Sequence, residues 1–330
     1  MITEDFSLLT SNYEQPQKTD WSGRPTNPEI GKQYWHQHIE FSDLNSMEEA
    51  SVKDNRHIGL LGYACDEGVR RNLGRIGAKH GPYACRQQLA KLAYHTPEKT
   101  VFDFGNVVCS DHEMEACQDN LRKAVSALLR SSIFPIIIGG GHDITYGHFK
   151  GVREALINTS KPKIGIINFD AHFDLRPLED QPSSGTPFYQ ILTEYPETTQ
   201  YFALGIQEQS NTKELFNIAE AKNVDFLLNY ECEVSNFEFI KSRLSDFVDK
   251  NDWLYVTLDM DGFASSYAPG VSAPSPLGFT PYFVLKTLKF LLDTKKVMSF
   301  DIAEINPEYD KDNLTANLAA RIIDFVVANN

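Results

Sequence analysis

From residue 57 onward the chain alternates short apolar runs with longer stretches whose apolar residues recur at helical spacing. The runs at 57–64, 101–105, 134–138, 164–169, 201–204, 224–227, 254–258 and 297–302 read as strands. Most are continuous rather than alternating, the pattern of strands covered on both faces. The stretches at 82–93, 115–129, 145–157, 212–221, 237–248, 281–292 and 314–327 read as helices, and Thr280 before Pro281 forms an N-cap with proline in the first turn. This order predicts a single three-layer α/β/α domain over 56–330 with about eight strands, mainly parallel. Residues 1–55 are polar, with Pro16, Pro25 and Pro28, and are expected to form an extended or partly helical N-terminal arm.

In parallel sheets of this kind ligands sit beyond the carboxyl ends of the strands. Three runs end in polar clusters. The first is Gly139-Gly140-Gly141-His142-Asp143, the second Asp170-Ala171-His172-Phe173-Asp174, the third Asp259-Met260-Asp261. If each strand continues, alternation sends Asp170, His172 and Asp174 to one face and likewise Asp259 and Asp261, with Phe169, Phe173 and Met260 turned into packing. Four converging aspartates repel one another unless cations are present, and two divalent ions would balance them. Oxygen-rich ligation with two imidazoles suits Mn²⁺ better than Zn²⁺ or Fe²⁺, other divalent metals remaining possible. The three clusters at three strand ends predict a hydrolase with His142, Asp170, His172, Asp174, Asp259 and Asp261 as ligands of two ions.

Composition narrows the field. The net charge is -14 with no dense Lys/Arg cluster, which argues against a nucleic-acid partner. No apolar stretch is long enough to span a bilayer, and the first residues carry no signal-peptide pattern. The five cysteines, odd in number and without a CxxC pair, fit a reducing cytoplasm.

The motifs GGxHD (Gly140–Asp143), DAHxD (Asp170–Asp174) and DxD (Asp259–Asp261) resemble those of the ureohydrolase (arginase/agmatinase) superfamily, from about Ile58 to the C-terminus. The resemblance implies an arginase-like fold, two Mn²⁺ ions, and hydroxide held between them attacking an amidine or guanidine carbon. It assigns His142 and Asp174 to one ion, His172 and Asp261 to the other, and Asp170 and Asp259 to both. Four further stretches, at 66–72, 74–78, 183–188 and 268–274, are similar to the formimidoylglutamase group, as is Trp21-Ser22-Gly23-Arg24. That group splits N-formimidoyl-L-glutamate into L-glutamate and formamide in histidine degradation. Two departures bear on the substrate. Ser184 stands where agmatinase-like members carry a histidine, which disfavours arginase and agmatinase. Ala264 and Ser265 replace the superfamily's third aspartate and its proline, positions that are not metal ligands.

The expected roles follow. Asp174 would carry a proton to the leaving nitrogen, and Glu304 would pair with the cationic amidine. Arg176 and Arg75 would receive the substrate carboxylates, with Arg70, Arg71, Asn72 and Ser184 as further polar contacts. The partner is a small amidino amino acid, and the superfamily suggests a homo-oligomer, trimer or hexamer. Another guanidino- or amidino-acid hydrolase, or a catalytically silent relative, is the competing expectation. The remaining histidines, His148 among them, are expected to be structural or solvated.

Overall fold

The computed structural model describes residues 12–46 and 57–330. Its strands are β1 (Tyr13–Glu14), β2 (Glu40–Phe41), β3 (His57–Ala64), β4 (Thr100–Val108), β5 (Phe134–Ile138), β6 (Ile164–Phe169), β7 (Thr199–Ile206), β8 (Asp225–Leu228), β9 (Trp253–Asp259) and β10 (Val297–Ala303). Its helices are α1 (Trp35–His38), α2 (Glu67–Arg71), α3 (Gly81–Leu89), α4 (Met114–Arg130), α5 (Ile144–Ala155), α6 (Pro187–Glu194), α7 (Lys213–Ala221), α8 (Phe237–Lys250), α9 (Pro281–Asp293) and α10 (Leu314–Asn329).

One sheet runs β1-β4-β3-β5-β10-β9-β6-β7-β8, with β2 also paired to β4. All pairings are parallel except β1 on β4. The eight expected strands are present, and two short ones from residues 12–46 bring the sheet to ten. Successive residues of one run enter different cores: Ile136 and Ile138 pack with α3 and α8–α10, Ile137 with α4–α7. That double burial is why the runs are unbroken.

The described part of the segment before β3 is extended with short helical turns. It is fastened to the domain: the Trp21 indole donates to Asp103 at 2.7 Å and the Trp35 indole to Asp324 at 2.7 Å. Trp35 is fully buried, with Tyr94 edge-on at 5.1 Å and Trp21 stacked at 6.5 Å between ring centres. Polar composition concealed two buried tryptophans, which outweigh the surrounding prolines. Residues 47–55 of the expected arm lie outside the described residues, as do 1–11.

The chain leaves β5 through α5 and enters β6, and β9 and β10 later fill the gap between them. Four adjacent central strands therefore end side by side: β5 before His142, β10 before Glu304, β9 at Asp259 and β6 before Asp170. No helix of the described residues is long and apolar enough to cross a membrane.

Candidate metal centre and substrate pocket

Each strand end delivers its side chains by a turn. β6 stops at Phe169, and Asp174 takes a left-handed backbone (φ 46°). The pleat therefore does not align Asp170, His172 and Asp174, as the sequence suggested. Asp170 Oδ1 accepts the His172 amide at 2.7 Å, and Asn211 braces the loop, accepting from Phe173 N at 3.0 Å and donating to Ala171 O at 2.9 Å. Asp259 likewise ends β9 and accepts the Asp261 amide at 2.7 Å across a 3₁₀ turn. Alternation fails in both places because carboxylate-to-amide bonds curl the chain after the strand. Phe169, Phe173 and Met260 are buried, as expected.

The glycine run before His142 passes close under a neighbour. A Cβ on Gly140 would sit 1.8 Å from Cys65 O, and Gly140 N donates to Tyr63 O while its own carbonyl receives Glu304 N. Glu304 itself has φ 63°, strained for a residue with a long side chain.

The six side chains converge as two groups that could hold a metal ion. One is His142, Asp170, Asp174 and Asp259, the other Asp170, His172 and Asp261. His142 Nδ1 lies 3.2 Å from Asp170, 2.9 Å from Asp174 and 3.3 Å from Asp259. His172 Nδ1 lies 3.5 Å from Asp170 and 3.2 Å from Asp261. Asp170 belongs to both groups and Asp259 to the first. Asp174 is the least buried of the four aspartates.

The electrostatics ask for cations. Burial, reinforced by the neighbouring carboxylates, pushes Asp259 well above the usual range, Asp174 upward and Asp261 up to about 6. Burial and Asp261 push Glu304 up to about 8. Burial works against charge on His142 and His172, but their carboxylate partners outweigh it and both are raised. Asp261 Oδ1 and Glu304 Oε2 are buried with no hydrogen-bond partner among the described residues. Two imidazole nitrogens, four carboxylates and an orphaned oxygen at one point fit divalent cations.

A cavity of about 330 Å³ opens over this floor, lined by five of the six cluster residues and by Asn72, Arg75, Arg176, Ser184 and Glu304, but not by Arg70 or Arg71, which were also expected there. The arginines differ. Arg75 is engaged: its Nε donates to Ser272 O at 3.0 Å, its Nη2 to Val271 O at 2.5 Å, and its guanidinium lies 4.0 Å from the Tyr309 ring centre. It staples the loop at 270–274, which the sequence could not reveal because those partners lie far along the chain. Arg70 and Arg71 both bind the buried Glu67, whose carboxyl they and His112 hold down at about 2. Arg176 shows no side-chain partner among the described residues and is exposed at the cavity wall. Sequence reasoning missed Asn211, Thr257 and Asp301, and read His148 only as structural or solvated. All four are buried polar residues, and the last three sit behind His142.

The arginase family model matches residues 56–328, and the chain belongs to the arginase family. Among its relatives, formimidoylglutamase of Geobacillus sp. (strain WCH70) is 42% identical over 310 residues, covering 93% of this chain and 94% of that protein. Formimidoylglutamase of Clostridium tetani (strain Massachusetts / E88) is 39% identical over 328 residues, 97% of each. The solved Trypanosoma cruzi formiminoglutamase with Mn²⁺ superposes with a TM-score of 0.73 at 26% identity, covering 86% of this chain and 96% of that one. Formimidoylglutamase from Bacillus subtilis subsp. subtilis str. 168 superposes with a TM-score of 0.79 at 24% identity, over 93% and 94%, and shares the fold.

Proposed function

We propose that this protein hydrolyses N-formimidoyl-L-glutamate to L-glutamate and formamide, using two Mn²⁺ ions held by His142, Asp170, His172, Asp174, Asp259 and Asp261. The observation that carries the reading is the joining of the two cluster groups, a Glu304 oxygen and an Arg176 guanidinium, neither with a partner among the described residues, around one cavity, in a chain similar over nearly its whole length to formimidoylglutamases. Bound divalent ions supply Lewis acidity and make water nucleophilic near neutral pH.

The chain's own residues do the rest. Glu304 Oε2 accepts from the N–H groups of the amidinium, and its left-handed backbone aims the side chain at the cavity floor. Asp174, the most accessible of the aspartates, holds the proton that the leaving nitrogen needs, because an amine leaves poorly as its anion. The Arg176 guanidinium receives a substrate carboxylate in bidentate fashion. Asn72 and Ser184 supply neutral contacts at the same wall, and Ser184 N is fixed by Gly68 O at 3.1 Å. Arg75 acts on the substrate through the loop it holds. A cavity of this size stands at the small end of ligand sites, about 300–1,000 Å³, and suits an amino-acid derivative. Cytoplasmic residence and a homo-oligomer, trimer or hexamer, belong to the same reading. Buried, unpaired Cys65, Cys85, Cys117 and Cys232 support the former.

The test is turnover by the Mn²⁺-loaded chain on formimidoylglutamate, arginine, agmatine and guanidinobutyrate. Glutamate release from the first alone is expected. Urea from any of the others, without glutamate, contradicts the proposed substrate. No turnover on any, with metal bound, would favour the silent relative.

A further inference from the structure

A polar chain leads from the back of His142 into the middle of the sheet. His142 Nδ1 faces the aspartates, while Nε2 turns away and meets Thr257 Oγ1 at 2.9 Å. Thr257 Oγ1 lies 2.5 Å from Asp301 Oδ1. Asp301 Oδ2 takes two further donors, the Tyr255 hydroxyl and His148 Nδ1, the latter at 2.6 Å. Thr257, Asp301, His148 and Tyr255 are all fully buried. The register explains the meeting, since Asp301 on β10 stands beside Thr257 on β9.

The direction of each bond can be worked out. A carboxylate only accepts, so the single proton of Thr257 goes to Asp301. The threonine oxygen then has only lone pairs to offer His142. Nε2 must carry the ring proton, and Nδ1 presents its lone pair to the carboxylates of Asp170, Asp174 and Asp259. A lone pair facing carboxylate oxygens is productive only with a cation between them.

We infer that Thr257 and Asp301 are positioning residues that fix His142 in its Nε2–H form, so that Nδ1 serves as a ligand for the ion at His142, Asp170, Asp174 and Asp259. The inference rests on the two-metal reading. It is confined to one of the two ions, because neither residue contacts His172 or Asp261 among the described interactions.

Two substitutions break the chain in different ways. Thr257→Val keeps the shape and removes the hydroxyl. Asp301→Asn inverts the chain. Its carbonyl oxygen belongs where two donors converge, at Oδ2, which leaves its amide donating to Thr257. Thr257 must then donate to Nε2, and the ring proton moves to Nδ1, against the ion. Thr257→Ser retains the original pattern.

The experiment titrates Mn²⁺ alone into the metal-depleted full-length chain, with free Mn²⁺ followed by electron paramagnetic resonance and thermal unfolding recorded in parallel. Wild type is expected to take up two ions. Thr257→Val and Asp301→Asn should each weaken one of the two by about 10–100-fold, the usual cost of losing a partner behind a metal-binding histidine, and leave the other within about threefold. Thr257→Ser should bind both as wild type does. Equal weakening of both ions, unchanged affinity in the substituted chains, or a serine variant as weak as the valine variant overturns the inference. If Thr257→Val does not fold, Asp301→Asn against Thr257→Ser decides by the same criteria. Wild type that binds no Mn²⁺ overturns the two-metal reading itself, and the inference with it.

Discussion

Replacing Glu304 by Gln separates what its charge does from what its shape does. The side chain is 4% exposed, its Oε1 accepts the His142 amide at 3.1 Å, and its Oε2 has no partner among the described residues. Glutamine fills the same space and can still accept from His142 N. What disappears is a charge-assisted bond to the amidinium, about 1.5–3 kcal/mol, or about a 10–150-fold fall in kcat/KM. The same substitution should stabilise the metal-free protein. The carboxyl is pushed from the ordinary range up to about 8 by burial and Asp261. Between pH 4.5 and 8 the unfolded chain ionises while the folded chain keeps its proton, so wild type loses stability relative to Gln as pH rises, and the difference levels off above 8. A displacement of this size corresponds to a limit of ~5 kcal/mol. The assays are steady-state kinetics of the metal-loaded enzyme and Tm of the metal-depleted chains from pH 4.5 to 9. A kcat/KM within threefold of wild type refutes the pairing role. Identical pH dependence of Tm in the two chains refutes the buried-charge argument.

Three other outcomes are expected. Arg176→Ala should raise KM by about 10–150-fold with little change in kcat, because one charge-assisted carboxylate contact of about 1.5–3 kcal/mol is lost from both ground and transition states; an unchanged KM removes Arg176 from the site. Leu73→Gly should stabilise the chain by about 0.5–1 kcal/mol in a denaturant titration. Leu73 sits at the left-handed position ending α2 (φ 61°), with Gly74 N bonded to Val69 O at 2.8 Å, and its side chain is 94% exposed. The strain removed exceeds the chain entropy that glycine adds, and a destabilised variant would contradict this. Mn²⁺ at about a hundred times its Kd should add about 2.7 kcal/mol per ion to unfolding stability, reversed by chelation; a Tm indifferent to both speaks against a metal centre.

The strands were legible because burial on both faces leaves an unbroken apolar run, and β5 and β6 fall at 134–138 and 164–169, as expected. The cluster residues were legible because charged groups directly after such runs have nowhere to go but the end of the sheet. The geometry that unites them was not, since amide-to-carboxylate turns at Asp170 and Asp259, rather than the pleat, aim the side chains. Arg75 and Arg176 look alike in sequence, yet one is consumed by the carbonyls of Val271 and Ser272 and the other is open. Such a difference lies in contacts distant along the chain. Asp301 did leave a trace: a lone carboxylate inside the run Val297–Ala303 has to find buried partners, and it finds three. Trp21 and Trp35, in a stretch otherwise read as an arm, left the same kind of trace.

The central claim is hydrolysis at the amidine carbon, with cleavage of the bond to the glutamate nitrogen. It is tested most directly by running the Mn²⁺-loaded enzyme on N-formimidoyl-L-glutamate in H₂¹⁸O and analysing products by mass spectrometry. The account predicts unlabelled glutamate and formamide in equal amounts, with ¹⁸O in the formamide carbonyl, since water adds to that carbon and the amine leaves. Ammonia with N-formylglutamate would show the other C–N bond broken and contradict it, as would the absence of any metal-dependent product.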